Sequence, residues 1–305
     1  MKCFVAGGTG VVGRRAVPAL VAAGYDVTVI GRTPERDRLV ESFGATPVRI
    51  DLFDAAAIAG AIAGHDVVIN LATHIPSLSR AASAKAWAEN NRIRTEGAAN
   101  LVAAARRAGA ARVIQESITF PYADGGDGWI DEDSDREASE FSGPVDAAEA
   151  GVAAFSVEAG AGIVLRFAQF HAPDSHHCQT WAKAFAMRVN PLFGPADSFT
   201  SFLGAIAAGR AVVAALDAPA GVYNVADDDP VTRGEAGEVV AAALGKKPPR
   251  RIPLPMGAVT KVNPSAEVLT RSQRISNRRF RDATGWAPDH AGADGLAAAI
   301  AEIRS

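Results

Sequence analysis

The sequence predicts an α/β protein, a doubly wound parallel sheet with a smaller C-terminal region, and three observations carry that expectation. Short apolar runs alternate with helical periodicity through the first half of the chain, the pattern of parallel strands covered on both faces. A glycine-rich turn joins the first strand to the first helix. With 305 residues, 48% of them hydrophobic and 21% charged, the chain can fill one large core, since single cores stop growing near roughly 250 to 300 residues.

The elements follow in order. Cys3 to Ala6 is a short apolar strand ending in glycines, and a helical stretch from about Val11 to Ala23 stops at Gly24, with Pro18 inside it as a source of kinking. Asp26 to Ile30 is the second strand, and Gly31-Arg32-Thr33-Pro34 leads into the next helix. Pro47 to Ile50 is the third strand, followed by Asp51-Leu52-Phe53-Asp54 and an alanine-rich helix. Asp66 to Ala72 reads as a buried fourth strand, Trp87 to Ala108 as a long helix and Ala111 to Glu116 as a fifth strand. Beyond Ser117 lies a polar loop containing Asp124 to Gly128 and Asp131 to Asp135, and loops of such length are usually functional or mobile. A helix over Val145 to Glu158 and a strand over Gly162 to Gln169 restore the pattern. Phe199 to Leu216 reads as helical, Gly221 to Val225 as a strand, and Arg233 to Leu244 as a helix closed by Gly245, while prolines make Lys247 to Pro255 extended. Residues 1–170 therefore form the sheet domain, completed by about 200–228, and 171–199 with 229–305 form a smaller substrate-binding region.

Composition narrows the function. The net charge of -3 gives no global field for nucleic acid, whose binders tend to be basic. No stretch approaches the roughly 18 uninterrupted apolar residues of a membrane helix. Glycines at 7, 8 and 10 interrupt any signal-peptide core, and two cysteines, Cys3 and Cys178, are too few for a disulfide framework. A cytoplasmic monomer or homodimer with a small-molecule partner is the expectation.

Gly7-Gly8-Thr9-Gly10-Val11-Val12-Gly13 follows a strand and opens a helix, the setting in which a glycine pattern marks a Rossmann dinucleotide site. Side chains there would hold the pyrophosphate away from backbone amides. The end of the second strand bears on the choice of cofactor. An Asp or Glu would bind the ribose hydroxyls of NAD, but this chain has Gly31-Arg32-Thr33, with Arg32 suited to a 2′-phosphate and no carboxylate in that segment to repel it. NADP is favoured over NAD, the alternative being that Arg32 is a solvated loop residue. Asp51 with Leu52 either holds the adenine edge or, through Asp51 or Asp54, caps a helix.

In order and kind, these signals resemble the extended and atypical members of the short-chain dehydrogenase/reductase superfamily, the group that includes nucleotide-sugar epimerases and dehydratases. Gly7, Gly10 and Gly13 match its cofactor loop, Asp51-Leu52 its adenine contact, and Asn70-Leu71-Ala72-Thr73 the strand end beneath the nicotinamide. Gly97 to Leu101, Val164 to Phe167, Tyr223 to Ala226, Ser276 to Phe280 and Gly285 to Pro288 match further segments. The resemblance implies catalysis by Tyr-x-x-x-Lys, which this chain lacks: four residues after Tyr25, Tyr122 and Tyr223 stand Val29, Gly126 and Asp227. Aligned on Glu149, the tyrosine slot holds Phe141 and the lysine slot Val145, while Arg94 stands where the family often has Asn. Ser117, with Thr119 behind it, occupies the family's Ser or Thr position, and Tyr122 is the tyrosine best placed to face the nicotinamide.

His74, at the end of the fourth strand, is of the residue type that serves as a general base at neutral pH, although a lone His there is often only a structural donor. His171, His176, His177 and Cys178 invite a zinc reading, but no CxxC or HxxxH spacing exists and no metal is expected. Arg271, Arg274, Arg278, Arg279 and Arg281 either grip an anionic substrate or form a solvated helix face balanced by the acidic loop. Three functions remain open. The first is an NADP-binding oxidoreductase or epimerase-like enzyme acting on a small metabolite, with Ser117, Tyr122 or His74 replacing the missing pair. The second is a redox-silent NADP binder, and the third an isomerase, cyclase or lyase that reuses the cleft without net hydride transfer.

Overall fold

The computed structural model describes residues 1–76, 80, 83–139, 142–187, 189–192, 194–248, 265–289 and 293–304. The first half is built of strand–helix units: β1 (Lys2–Ala6), α1 (Gly13–Ala22), β2 (Asp26–Gly31), α2 (Pro34–Ser42), β3 (Thr46–Arg49), α3 (Ala55–Ile62) and β4 (Val67–Asn70). Next come α4 (Ala84–Arg92), a π-helical turn over Ile93–Gly97, α5 (Ala98–Ala108) and β5 (Arg112–Ile118). After β6 (Trp129–Ile130) stand α6 (Ser142–Glu158), β7 (Ala161–Phe167), β8 (Gln169–His171), α7 (His176–Ala186), β9 (Phe199–Thr200), β10 (Phe202–Gly204), α8 (Ala205–Ala214) and β11 (Gly221–Val225). The C-terminal part adds β12 (Val231–Thr232), α9 (Arg233–Ala243), α10 (Ser265–Thr270), β13 (Arg274–Ile275), α11 (Arg278–Thr284) and α12 (Ala293–Arg304).

Seven strands form one sheet in the order β11-β7-β5-β4-β1-β2-β3, and every pairing in it is parallel. The strand order reverses between β4 and β1, the switch point beside which ligands of open parallel sheets bind. Alternate residues of each strand feed opposite faces. Val17 and Leu20 of α1, Val40 of α2 and Val212 of α8 cover one face, and Ile58 and Ile62 of α3, Leu101 of α5 and Phe155 of α6 cover the other. On the first face α8 lies directly on α1: Gly209 is so close that a Cβ would stand 2.6 Å from Arg15 Cβ. A third apolar cluster gathers Trp181 and Phe185 of α7, Val240 of α9, Leu296 and Ile300 of α12, and Phe202.

Local chemistry explains the boundaries. Pro34 occupies the first turn of α2, where its missing N–H is harmless, and Thr33 caps that helix by accepting from Arg36 N. Asp54 caps α3 through the amides of Ala56 and Ala57, at 3.0 Å each. Gly109 and Gly245 end α5 and α9 with φ of 68° and 64°. Helix α1 runs through Pro18.

Two expectations need correction, and a third is narrowed. The segment 199–216 is not one helix: Thr200 pairs with Val231 and Leu203 with Phe170, and only from the Gly204 N-cap does α8 begin. The strand expected over 162–169 breaks after Phe167, because Ala168 N turns to Val225 O and the chain enters a second, two-stranded sheet. The polar loop after β5 is tied down, with β6 paired to β13 and Gly125 N donating to Ser272 O. Most of the segment 247–255 lies outside the described residues. Among the described residues no helix is long and apolar enough to cross a membrane.

Candidate active site

The loop between β1 and α1 is shaped by what its glycines permit. Gly7 has φ +80°, and a Cβ there would collide with the Leu71 carbonyl, so the loop touches the end of β4 directly. A Cβ on Gly13 would collide with Gly7 O, so this glycine seats the helix against its own loop. Gly10 differs, being exposed, with Gly7 O at 3.3 Å as the one neighbour its Cβ would meet. A side chain there would press on the loop's own backbone rather than on the rest of the fold. The amides of Val11 and Val12 donate to nothing among the described residues, and α1 has no acidic residue in its first turn. Free donors and the positive end of a helix dipole therefore remain for an anion, and a dinucleotide pyrophosphate fits them.

Arg32, at the end of β2, is exposed. Beside it stands a second cation that the sequence reading missed: Arg36 of α2 donates to Thr9 Oγ1 of the glycine loop at 3.3 Å. Burial, and then the neighbouring charge of Arg32, pulls Arg36 below its ordinary pKa. The i, i+4 spacing of the two arginines across a helix start was the available signal. A carboxylate is also present at this strand end, through the fold rather than the local sequence. Asp37 of α2 packs against Gly31 so closely that a Cβ there would collide with it, and Arg49 of β3 neutralises it.

Asp51 Oδ1 accepts from Phe53 N at 3.0 Å, and Leu52 packs into the space left by Gly97. Leu71 is buried, Ala72 is half-buried with its N–H on Asn70 Oδ1, and Thr73 and His74 are exposed. His74 is held by its backbone, which donates to Asn90 Oδ1 at 3.1 Å.

Ser117 and Tyr122 belong to one buried polar network. Ser117 donates to Glu149 Oε1, Arg166 grips both oxygens of Glu149, and Arg166 Nη1 donates to the Tyr122 hydroxyl at 2.7 Å. That hydroxyl in turn donates to Asn224 Oδ1 at 2.8 Å, and Asn224 N donates to Glu132 Oε1. Ser117 and Tyr122 are each 1% exposed. Burial raises the Tyr122 pKa, opposed only in part by Arg166 and Asn224. Burial alone would raise Glu149 too, but the hydrogen bonds and charge of Arg166, with Ser117 and Arg136, hold its carboxyl below the usual range. The Tyr122 hydroxyl, expected to face the nicotinamide, has both of its partners, Arg166 and Asn224, within the network. His74 is not joined to it. Val145, in the lysine slot, is buried, and Phe141 lies outside the described residues.

Arg94 stands in the π-helical turn and donates to Glu116 Oε1 at 3.0 Å, both residues being buried. Burial raises the Glu116 carboxyl pKa, with Arg94 pulling the other way. Farther along the sheet edge, His171 Nε2 meets Asp227 Oδ2 at 2.9 Å, both nearly sealed. His176, His177 and Cys178 form the first turn of α7, capped by Ser175, and the His177 ring bonds Phe170 O. Among the described residues no three His, Cys, Asp or Glu side chains could hold a metal ion. The five C-terminal arginines do not share one helix face: Arg271 is buried against Tyr122 O and Glu137, Arg274 stacks on Trp129, and Arg279 and Arg281 pair with Asp133 and Asp228.

Comparison with known proteins places this geometry. A family model described as NAD(P)H-binding matches residues 7–136. A 3-diazoavenalumate denitrifying reductase from a Streptomyces species is 34% identical over 311 residues, which cover 95% of this chain and 97% of the relative. Among solved structures, a human epimerase family protein crystallised with NADPH superposes with a TM-score of 0.80 at 23% identity, covering 99% of each chain. The Thermus thermophilus UDP-glucose 4-epimerase complex with NAD gives 0.80 at 19% identity, covering 100% of this chain and 99% of that one. At those identities the structural likeness shows the fold.

Proposed function

The chain belongs to the NAD(P)-binding family of epimerases and short-chain dehydrogenase/reductase-like proteins, and from that premise we propose that it is an NADP-dependent reductase of a small metabolite. When bound, the reduced cofactor supplies a hydride. Gly10 leaves room for the pyrophosphate, the amides of Val11 and Val12 and the start of α1 receive its charge, and Arg32 with Arg36 receives the 2′-phosphate. The pairing of Arg36 with the glycine loop is the observation that carries the preference for NADP: two guanidiniums beside the adenosine ribose, with Asp37 already neutralised, favour an added phosphate dianion. Leu71, Ala72 and Thr73, just beyond β4, would hold the nicotinamide, with the exposed His74 next in the chain. Asp51 and Leu52 border the adenine.

A second reading concerns the acceptor. Reducing a carbonyl requires a proton at its oxygen, and an alkoxide left in a water-poor cleft costs several kcal/mol on the order of magnitude of an unpaired buried charge. The Ser117 and Tyr122 hydroxyls are engaged with Glu149, Arg166 and Asn224, and the lysine position is apolar. Those facts favour an acceptor that sheds a leaving group. The full-length relative is named for a diazo compound, and a diazonium carbon that takes up hydride releases dinitrogen without protonating any oxygen.

The test is to titrate NADPH and NADH, then follow NADPH absorbance with aryl diazonium salts, carbonyl compounds and sugar nucleotides, using enzyme-free and Gly10→Val controls. Turnover of any acceptor supports the reductase. Reaction confined to carbonyls sinks the leaving-group reading. Tight binding with no oxidation of NADPH by any acceptor replaces the reductase with a redox-silent binder.

A further inference from the structure

We infer that Arg49 sets the cofactor preference of this chain: by cancelling the charge of Asp37 it lets the adenosine corner take the 2′-phosphate of NADP, and without it the same corner turns toward NADH. The inference rests on the NADP reading of the site and adds to it the residue on which the preference turns.

Asp37 stands where a carboxylate selects NAD. An acid at the end of the second strand binds the ribose hydroxyls and repels a phosphate on them. Residue 31, at the end of β2, is Gly, but a Cβ there would collide with Asp37 Oδ1. The carboxylate that the strand lacks is thus delivered to the same place from the first turn of α2. That place adjoins the cofactor loop. Arg36, the residue before Asp37, donates to Thr9 Oγ1 at 3.3 Å, and Arg32 directly follows Gly31.

A single group answers the Asp37 charge. Arg49 ends β3 in register with Gly31, and its Nε donates to Asp37 Oδ2. Asp37 Oδ1 is buried with no hydrogen-bond partner, and among the described residues no second cation pairs with this carboxylate. Its seat at the positive end of the α2 dipole favours the ionised form, so the charge persists when its counterion is taken away. The Arg49 side chain is 59% exposed, and its replacement leaves the core closed.

The remaining charges match the ligand. Glu35 pairs with Arg38 at 3.5 Å and Asp37 with Arg49, while Arg32 and Arg36 join no ion pair among the described residues. Two uncancelled guanidiniums therefore stand ready for the two charges of a phosphate. Once Arg49 is gone, the Asp37 carboxylate either repels that phosphate or draws one of the two arginines to itself. In both cases one net positive charge remains of two. NADH carries only hydroxyls on the same ribose and is spared this loss.

The test is a charge cycle read as binding. Kd values for NADPH and NADH are measured by calorimetry, at low and at high salt, for wild type, Arg49→Met, Arg49→Lys, Asp37→Asn and the double variant of Met and Asn. Arg49→Met is expected to weaken NADPH about 10- to 100-fold at low salt, to leave NADH within about threefold, and to lose less at high salt, where charges are screened. Arg49→Lys keeps the charge and should keep the preference. Asp37→Asn should tighten NADPH, because Arg49 then becomes a third free cation, and the double variant should return toward wild type. Equal losses of both cofactors in Arg49→Met would mark a structural role and overturn the inference. An unchanged preference in both single variants overturns it as well. Should Arg49→Met not fold, Asp37→Asn decides alone, by whether NADPH tightens relative to NADH. In each of these failures the wild-type preference for NADPH still stands. A wild type that binds NADH as tightly as NADPH removes the NADP reading itself, and the inference with it.

Discussion

Arg166 of β7 grips Glu149 of α6 with two parallel hydrogen bonds, Nε to Oε1 at 3.0 Å and Nη2 to Oε2 at 2.7 Å. The side chains are 7% and 10% exposed, and removing one partner of such a pair typically costs about 3 to 5 kcal/mol because the other charge is left buried. The pair stitches helix to sheet beneath Ser117 and Tyr122, and it accounts for the employment of both hydroxyls.

The Glu149 carboxyl should give a pH signature. Its folded pKa lies below the ordinary value of 4.5, so the stability it contributes is fully present above that value and is lost as pH falls through the folded pKa. Urea midpoints of wild type and Glu149→Gln should differ most near neutrality and converge toward acid. A constant gap would show that Glu149 is not ionised in the folded protein.

Tyr122→Phe should act on stability. Loss of the hydroxyl leaves Arg166 and Asn224 each short of a partner, at about 1 to 3 kcal/mol by denaturant melting, with NADPH affinity unchanged. Ser117→Ala should behave alike and more mildly, whereas His74→Ala should leave stability untouched. A large loss of turnover in Tyr122→Phe at full stability would restore the tyrosine to the chemistry.

The two ends of the glycine loop should separate binding from folding. Gly10→Val should stay folded and lose dinucleotide binding, because the new side chain enters the ligand's path. Gly13→Ala should lower the melting temperature, because its methyl group meets Gly7 O. Calorimetric titration and thermal melts of both variants check this.

Arg32→Ala and Arg36→Ala should each weaken NADPH by about 1 to 3 kcal/mol and leave NADH nearly unchanged. Equal losses for both cofactors would move the arginines away from the 2′-phosphate.

The parallel sheet and the cofactor loop were legible in the sequence because both are local: Val67 to Asn70 announces a buried strand by its own apolarity, and Gly7 to Gly13 by its spacing. What was not legible joins distant positions. Tyr122 finds Asn224 across 102 residues and His171 finds Asp227 across 56, and nothing in the neighbourhood of either residue records it. Arg271 looked like one of five surface cations, yet the fold buries it against the Tyr122 carbonyl. Phe199 and Phe202 were drawn into a helix because the alanines after them are strongly helical, while strand pairing with Thr232 and Gln169 decided the outcome. Asp37 was invisible as a neighbour of Gly31 until α2 folded back over β2.

The seat of α8 on α1 has a consequence for synthesis. Val17 and Leu20 leave the ribosome early, but the helix that helps cover them ends only at Ala214. At about 5 to 20 residues per second, their apolar surface waits roughly 10 to 40 seconds for its lid, long enough for a nascent chain to meet a chaperone or another copy of itself.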